Sequence, residues 1–151
     1  MSSISEFLGI NYIVIAPTLA LLLTVIVLLF CTITISTPMY VKKYVSFFGI
    51  LLTLFTIFLK FGLFFTDGVS SYFSEKILLD EFALVGNVLI GLVLLFTFNS
   101  FWQTSEMIEN KTTEALILVL MSASGFLLMV DSENFIMLFI GLEIGSISLY
   151  A

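Results

Sequence analysis

The chain has 151 residues, of which 60% are hydrophobic and only 11% charged, and its mean hydropathy is +1.22. A soluble domain carries about 25% charged residues, so this surface is not built for water, and the chain reads as an all-α integral membrane protein with one membrane domain, 1–151. Eleven acids against five lysines give a net charge of −6, which argues against nucleic-acid binding, because that needs a basic footprint.

The sequence contains no arginine and 17 phenylalanines, a bias expected of an AT-rich, organelle-like genome. Cys31 lies in an apolar run and reads as a small helix-packing side chain, with no disulfide inside the chain. Histidine is absent and no cysteine cluster exists, so the sequence predicts no zinc, haem or iron–sulfur ligands and no cofactor. The opening Met1–Glu6 has no basic residue and matches neither a secretory leader nor a transit peptide. An organellar protein with this start would be made inside the organelle.

About five transmembrane helices fit the length. The first is expected over 10–35, with Pro17 in its early turns, where proline is tolerated best. Ser36-Thr37-Pro38 stops it. The lysine pair Lys42 and Lys43 precedes a second span over 44–66. An acidic, Ser- and Gly-containing loop, 67–80, leads to a third span over 81–101. A loop with Trp102, Glu106, Glu109, Asn110 and Lys111 leads to a fourth over 113–130. The turn Asp131-Ser132-Glu133-Asn134 then opens a fifth over 134–151. Tyr12, Tyr40, Tyr44, Tyr72, Trp102 and Tyr150 fall at or near the proposed span ends, the level that amphipathic aromatic rings favour. Lys42, Lys43 and Lys111 occupy alternate loops, so the positive-inside rule puts those loops on the negative side of the membrane.

The fifth span carries the candidate site. Glu143 lies nine residues beyond Asn134, about 14 Å along a helix and near the middle of a hydrocarbon layer about 30 Å thick. A carboxylate at that depth is costly and reads as functional. Glu143, Ser146 and Tyr150 share one helix face, whereas Gly141, Gly145 and Ser148 share another. Gly141 and Gly145 form a G-x-x-x-G pair suited to close helix contact, as does the small-residue run Ser122-Ala123-Ser124-Gly125. A structural, hydrogen-bonded carboxyl is the plain alternative for Glu143. Lys60 reads as a lysine snorkelling from the end of the second span to the interface, so a cation for Glu143 would come from another chain. Glu114 reads as a carboxylate at the positive start of the fourth helix. Asp131 and Glu133 read as solvated turn residues, Asn134 as a helix cap, and Asp80 and Glu81 as solvated residues where loop meets lipid. No nucleophile–base set, phosphate loop or metal cluster is visible.

The stretch 113–120, the turn 131–134 and the run FIGLEIGSISLY together resemble the proton-antiporter-like subunits of respiratory complex I. Within that group they are most similar to the N-terminal part of NADH–ubiquinone oxidoreductase chain 2. Gly141, Leu142, Glu143, Ser146, Leu149 and Tyr150 match that family's fifth-helix pattern, and LDEFALVGNVLIGLVLLF resembles its third helix and approach. The resemblance covers the chain from Leu79 on. It implies proton translocation coupled to electron transfer from NADH to ubiquinone, with no redox chemistry on this chain. It also implies that Glu143 is an intramembrane titrating carboxylate paired with a seventh-helix lysine. This sequence has no counterpart of that lysine, which predicts a split or truncated subunit completed by a companion polypeptide. The expected partners are other complex I membrane-arm subunits, that companion chain and membrane lipids. The expected place is the mitochondrial inner membrane, with a bacterial or plastid membrane as the alternative. A purely structural membrane subunit, or a piece of a related subunit such as chain 4 or a cation/proton antiporter, remains the competing reading.

Overall fold

The computed structural model describes residues 2–34, 38–72, 77–103 and 109–151. Ser36 and Thr37 of the predicted stop and the loop charges Lys76 and Glu106 lie outside them. The chain forms five helices: α1 (Ser2–Thr34), α2 (Met39–Asp67), α3 (Glu81–Trp102), α4 (Glu109–Val130) and α5 (Phe135–Tyr150). Four contain stretches of 20 to 28 residues that are long and apolar enough to cross a membrane. The protein is a multi-pass membrane protein. Helix α5 is equally apolar but has 16 residues, about 24 Å at the helical rise.

These helices form because little in them competes. Hydroxyl side chains inside the spans turn back onto their own helices: Thr24 donates to the Ala20 carbonyl at 2.7 Å, Ser46 to Lys42 at 2.8 Å and Thr53 to Gly49 at 2.9 Å. Such bonds let a hydroxyl sit in apolar surroundings without an unmet polar group. Asp80 caps α3 by accepting from the Ala83 N–H at 2.7 Å, and Asn134 caps α5 by accepting from the Ile136 N–H at 2.9 Å. The expected cap at Asn134 is therefore present, and Asp80 has a structural role beyond solvation. Gly68 ends α2 with φ +70°, a conformation that favours glycine.

Several boundaries differ from the sequence reading. Helix α1 starts at Ser2, so Pro17 stands well inside it and is fully buried. Helix α2 begins at Met39, which puts both lysines of the pair inside its first turns. Helix α4 begins at Glu109; Glu114 is an exposed residue of its second turn, beyond the first turn where the helix dipole acts most strongly. The acidic loop is a folded cap. Strands β1 (Ser70–Tyr72) and β2 (Ile77–Leu79) pair antiparallel, and Ile77 bridges to Ser132 in the α4–α5 turn. Tyr72 is buried beneath this hairpin with Val14, Ile77, Leu79 and Leu84.

Helix α4 is the centre of the bundle. It contacts α1, α3 and α5, and its Leu116, Ile117, Leu120, Ala123 and Leu127 meet Leu21, Val25 and Leu28 of α1 and Leu94 and Phe98 of α3. Helix α5 packs chiefly on α4. Its contact surface is the glycine face: a Cβ at Gly141 would lie 2.7 Å from the Met129 nitrogen and 2.8 Å from the Gly125 oxygen. Gly125, Gly141 and Gly145 thus let the two backbones touch, as the small-residue patterns predicted.

Candidate functional site

Two polar places stand inside this bundle. The first was not anticipated. Lys60 on α2 is 0% exposed, and its ammonium donates to both carboxylate oxygens of Asp131, at 2.8 and 2.7 Å. Asp131 is 2% exposed. The Asn87 amide on α3 donates to the same carboxylate at 2.7 Å and to the Ala83 carbonyl at 2.8 Å. The Asp131 backbone carbonyl accepts from the Leu78 N–H of β2 at 2.9 Å.

Both sequence readings at this place are therefore corrected. Lys60 does not snorkel to water, and Asp131 is not a solvated turn residue. The physical reason is the hairpin. Strand β2 lies along the α4–α5 turn, and water is excluded from the end of α2 that a snorkelling lysine would need. The charge on Lys60 then requires a buried partner. Burial pushes the Asp131 carboxyl above its ordinary range, while the Lys60 ammonium and the Asn87 amide pull it back. A signal existed in the sequence. Lys60 and Asn87 each lie about two turns from the end of an apolar helix, and both ends meet the loop that faces Asp131.

The second place is Glu143. It is half-buried on α5, as is Ser146, while Tyr150 is exposed. The Ser146 hydroxyl donates to the Glu143 backbone carbonyl at 3.2 Å, so it serves the helix and not the carboxylate. Among the described residues the one ion pair is Lys60–Asp131, and Glu143 has no cation within ion-pair distance. The buried face of α5 is Gly141, Gly145 and Ser148, so the Glu143 face points away from the α4 contact, toward the edge of the bundle. Glu133 is exposed, as expected, and Glu81 is exposed at the start of α3. Among the described residues no group of three or more His, Cys, Asp or Glu is placed to hold a metal ion.

A half-buried carboxylate on an edge helix, in a bundle of apolar spans, is the arrangement on which the comparison with known proteins bears. The chain is similar to subunit N of NADH-quinone oxidoreductase. It is 33% identical to NADH-quinone oxidoreductase subunit N of Campylobacter concisus (strain 13826) over 84 residues, which are 56% of this chain and 17% of that protein. It is 26% identical to NADH-quinone oxidoreductase subunit N 1 of Aquifex aeolicus (strain VF5) over 113 residues, 72% of this chain and 24% of that protein. The chain thus spans less than a quarter of the length of either subunit N. No family model matches it. The similarity agrees with the resemblance drawn from the fifth-helix run, and both named relatives are bacterial.

Proposed function

We propose that this chain is a membrane-arm segment of a respiratory complex I, contributing to proton translocation coupled to electron transfer from NADH to a quinone. Glu143 is the titrating group in this reading. The observation that supports it is the placement of Glu143 on α5: a carboxylate in the middle of an apolar helix, half-buried, on a face turned from the α4 contact and so open to a neighbouring helix. A carboxylate in low dielectric changes its proton affinity when a cation approaches or leaves. A lysine on a neighbouring helix, from a companion polypeptide or from further chain of a subunit-N-like fold, supplies that cation. Motion of that lysine then drives proton uptake and release at Glu143. The flavin, iron–sulfur and quinone chemistry belongs to other subunits, and the chain works in a mitochondrial inner membrane or, as the alternative, in a bacterial or plastid membrane; its four long apolar helices support the membrane location alone.

The test is Glu143→Gln in the assembled complex. The expected result is a several-fold fall in NADH-driven proton translocation, with normal assembly and normal NADH oxidation by an artificial acceptor that bypasses the membrane arm. Unchanged translocation removes the proposal. A structural membrane subunit is the second reading, favoured by the lack of a cation within ion-pair distance of Glu143 among the described residues; it expects the substitution to alter assembly alone, or nothing.

A further inference from the structure

The Lys60–Asp131 pair belongs to a polar layer that crosses the bundle. Val14 and Leu84 are part of the apolar core beneath the hairpin, and Leu21, Leu94 and Leu127 are part of the larger core of the bundle. Thr18 stands between Val14 and Leu21 on α1, and Asn87 between Leu84 and Leu94 on α3. Asp131 follows Leu127 at the end of α4, and Lys60 reaches it from α2. All four side chains are at most 3% exposed. The layer holds more polar groups than the ion pair satisfies. An ammonium has three donors, and Asp131 takes two from Lys60. Asn87 Oδ1 and the Thr18 hydroxyl are buried and have no hydrogen-bond partner among the described residues. Proline has no N–H, so Pro17, fully buried beside Thr18, leaves the Ile13 carbonyl without its helical donor as well. Unmet buried groups of this kind are ordinarily completed by internal water.

The two charged partners enter this layer from different depths. Lys60 leaves α2 seven residues before its Asp67 end, about 10 Å inside it at the helical rise. Asp131 leaves the α4–α5 turn, where the Leu78 N–H of β2 bonds its main-chain carbonyl. The Asn87 amide bonds both the Asp131 carboxylate and the Ala83 carbonyl, which fixes the carboxylate against the ammonium. Asn87 is a positioning residue. The other titratable groups at this end are Asp80 at the α3 cap, whose charge acts on Asp131, Tyr72 beneath the hairpin, Asp67 at the end of α2, and the exposed Glu81 and Glu133. Glu75 and Lys76 lie outside the described residues. From α1 the layer receives Thr18.

We propose that Lys60, Asn87 and Asp131 form a proton-release relay at the hairpin end of the bundle, passing protons from the buried polar layer to water outside β2. The relay rests on the proton-translocation reading above and adds a second titrating site to Glu143. In its first step a Lys60 N–H bond breaks, the electron pair stays on nitrogen, and the proton forms an O–H bond on Asp131. Amine and carboxylic acid replace ammonium and carboxylate with no change in net charge. Burial penalises both charged forms, which brings this neutral pair within reach. Asp131 then gives its proton to water at the hairpin and returns to carboxylate. The Lys60 amine takes up the excess proton that arrives along the water of the layer. One proton crosses per cycle, and the starting ion pair is restored.

Lys60→Arg separates a relay from a structural ion pair. Arginine keeps the charge and bonds a carboxylate, but it does not give up its proton. In the assembled complex the expected result is a several-fold fall in protons translocated per NADH oxidised, with normal assembly and normal NADH oxidation by an artificial acceptor. Normal translocation by Lys60→Arg overturns the proposal. Where that variant fails to assemble, Lys60→Met with Asp131→Leu removes both charges together and is read by the same two outcomes. A second measurement needs no complex. The full chain carrying Glu143→Gln is placed in phosphatidylcholine vesicles and titrated by infrared spectroscopy. The expected result is a carboxylic-acid C=O band that appears above the ordinary carboxylate range as the pH falls, because burial raises the proton affinity of Asp131. The band shifts in heavy water and is absent when Asp131→Asn is added. No such band, or one that does not shift in heavy water, overturns the proposal. The titration is made without Glu143, so it stands apart from the Glu143 reading: normal translocation by Glu143→Gln beside impaired translocation by Lys60→Arg would remove that reading and leave the relay.

Discussion

The Lys60–Asp131 pair joins three separate parts of the chain: Lys60 from α2, Asn87 from α3 and Asp131 from the turn before α5. Both charged partners are out of water, so each is held in place by the other's charge. Removing one leaves an uncompensated buried charge, which costs about 3–5 kcal/mol, whereas replacing both by apolar groups of similar volume is often neutral or stabilising. Lys60→Met alone should therefore lower the free energy of unfolding in detergent by about 3–5 kcal/mol, and Lys60→Met with Asp131→Leu should recover most of the loss. A double variant no more stable than the single one would show that the pair is not the source of the effect. The sequence did not reveal this contact, because each partner taken alone has an ordinary explanation. A lysine near a helix end usually reaches the interface, and an aspartate in a turn usually faces water. Only the hairpin, whose strands are three residues each, closes that end, and three-residue strands leave too little periodicity to read. Glu143 stands out in the sequence for the opposite reason, because the middle of an apolar helix leaves it no route to water along its own helix; its role is what the Glu143→Gln experiment tests.

At the scale of the elements, small residues marked a close-contact surface on α4 and another on α5, but not that the two surfaces meet each other. Gly141 and Gly145, four apart, and Gly125 at the end of the Ser122–Gly125 run meet backbone to backbone. No side-chain movement can make room at Gly141, because the atoms in the way belong to the Met129 and Gly125 main chains. Gly141→Leu must push α5 off α4, and overpacking of this kind costs about 1–3 kcal/mol. The expected outcome is a lower midpoint of detergent-induced unfolding for Gly141→Leu and no change for Leu142→Val, a neighbour that points out of the bundle. The same substitution should also displace the Glu143 face from its position relative to α4. If the complex assembles with Gly141→Leu, proton translocation should fall even though the carboxylate is retained. The start of α2 was less legible. Pro38 stands immediately before Met39 with extended backbone, φ −63° and ψ 149°, and a proline there both ends one segment and permits the next helix at once. The lysine pair thus belongs to the helix and not to the preceding loop.

At the scale of the whole molecule, the five helices divide the chain into two ends. The hairpin and the α4–α5 turn are joined at one end by the Ile77–Ser132 bridge, and Lys43 meets Trp102 at the other. Among the described lysines, Lys42, Lys43 and Lys111 stand at the second end, and Lys60, nearer the first, is neutralised by Asp131. An ion-paired lysine contributes little to a charge rule that counts free basic residues beside the membrane. Lys60 therefore drops out of the count at the hairpin end, where the sequence leaves Lys76 in an acidic loop against Lys42, Lys43 and Lys111 at the other, and the Lys42–Lys43 end should face the negative side. Single cysteines at Ser71 and Lys111, both exposed, test this in a Cys31→Ala background. In sealed vesicles of known sidedness, a membrane-impermeant maleimide applied from the positive side should label Ser71→Cys and not Lys111→Cys. Permeabilising the vesicles should then make Lys111→Cys reactive, which separates sidedness from poor accessibility. The reverse labelling pattern would invert the chain, putting the Lys42–Lys43 end on the positive side and the hairpin cap over Lys60 on the negative side.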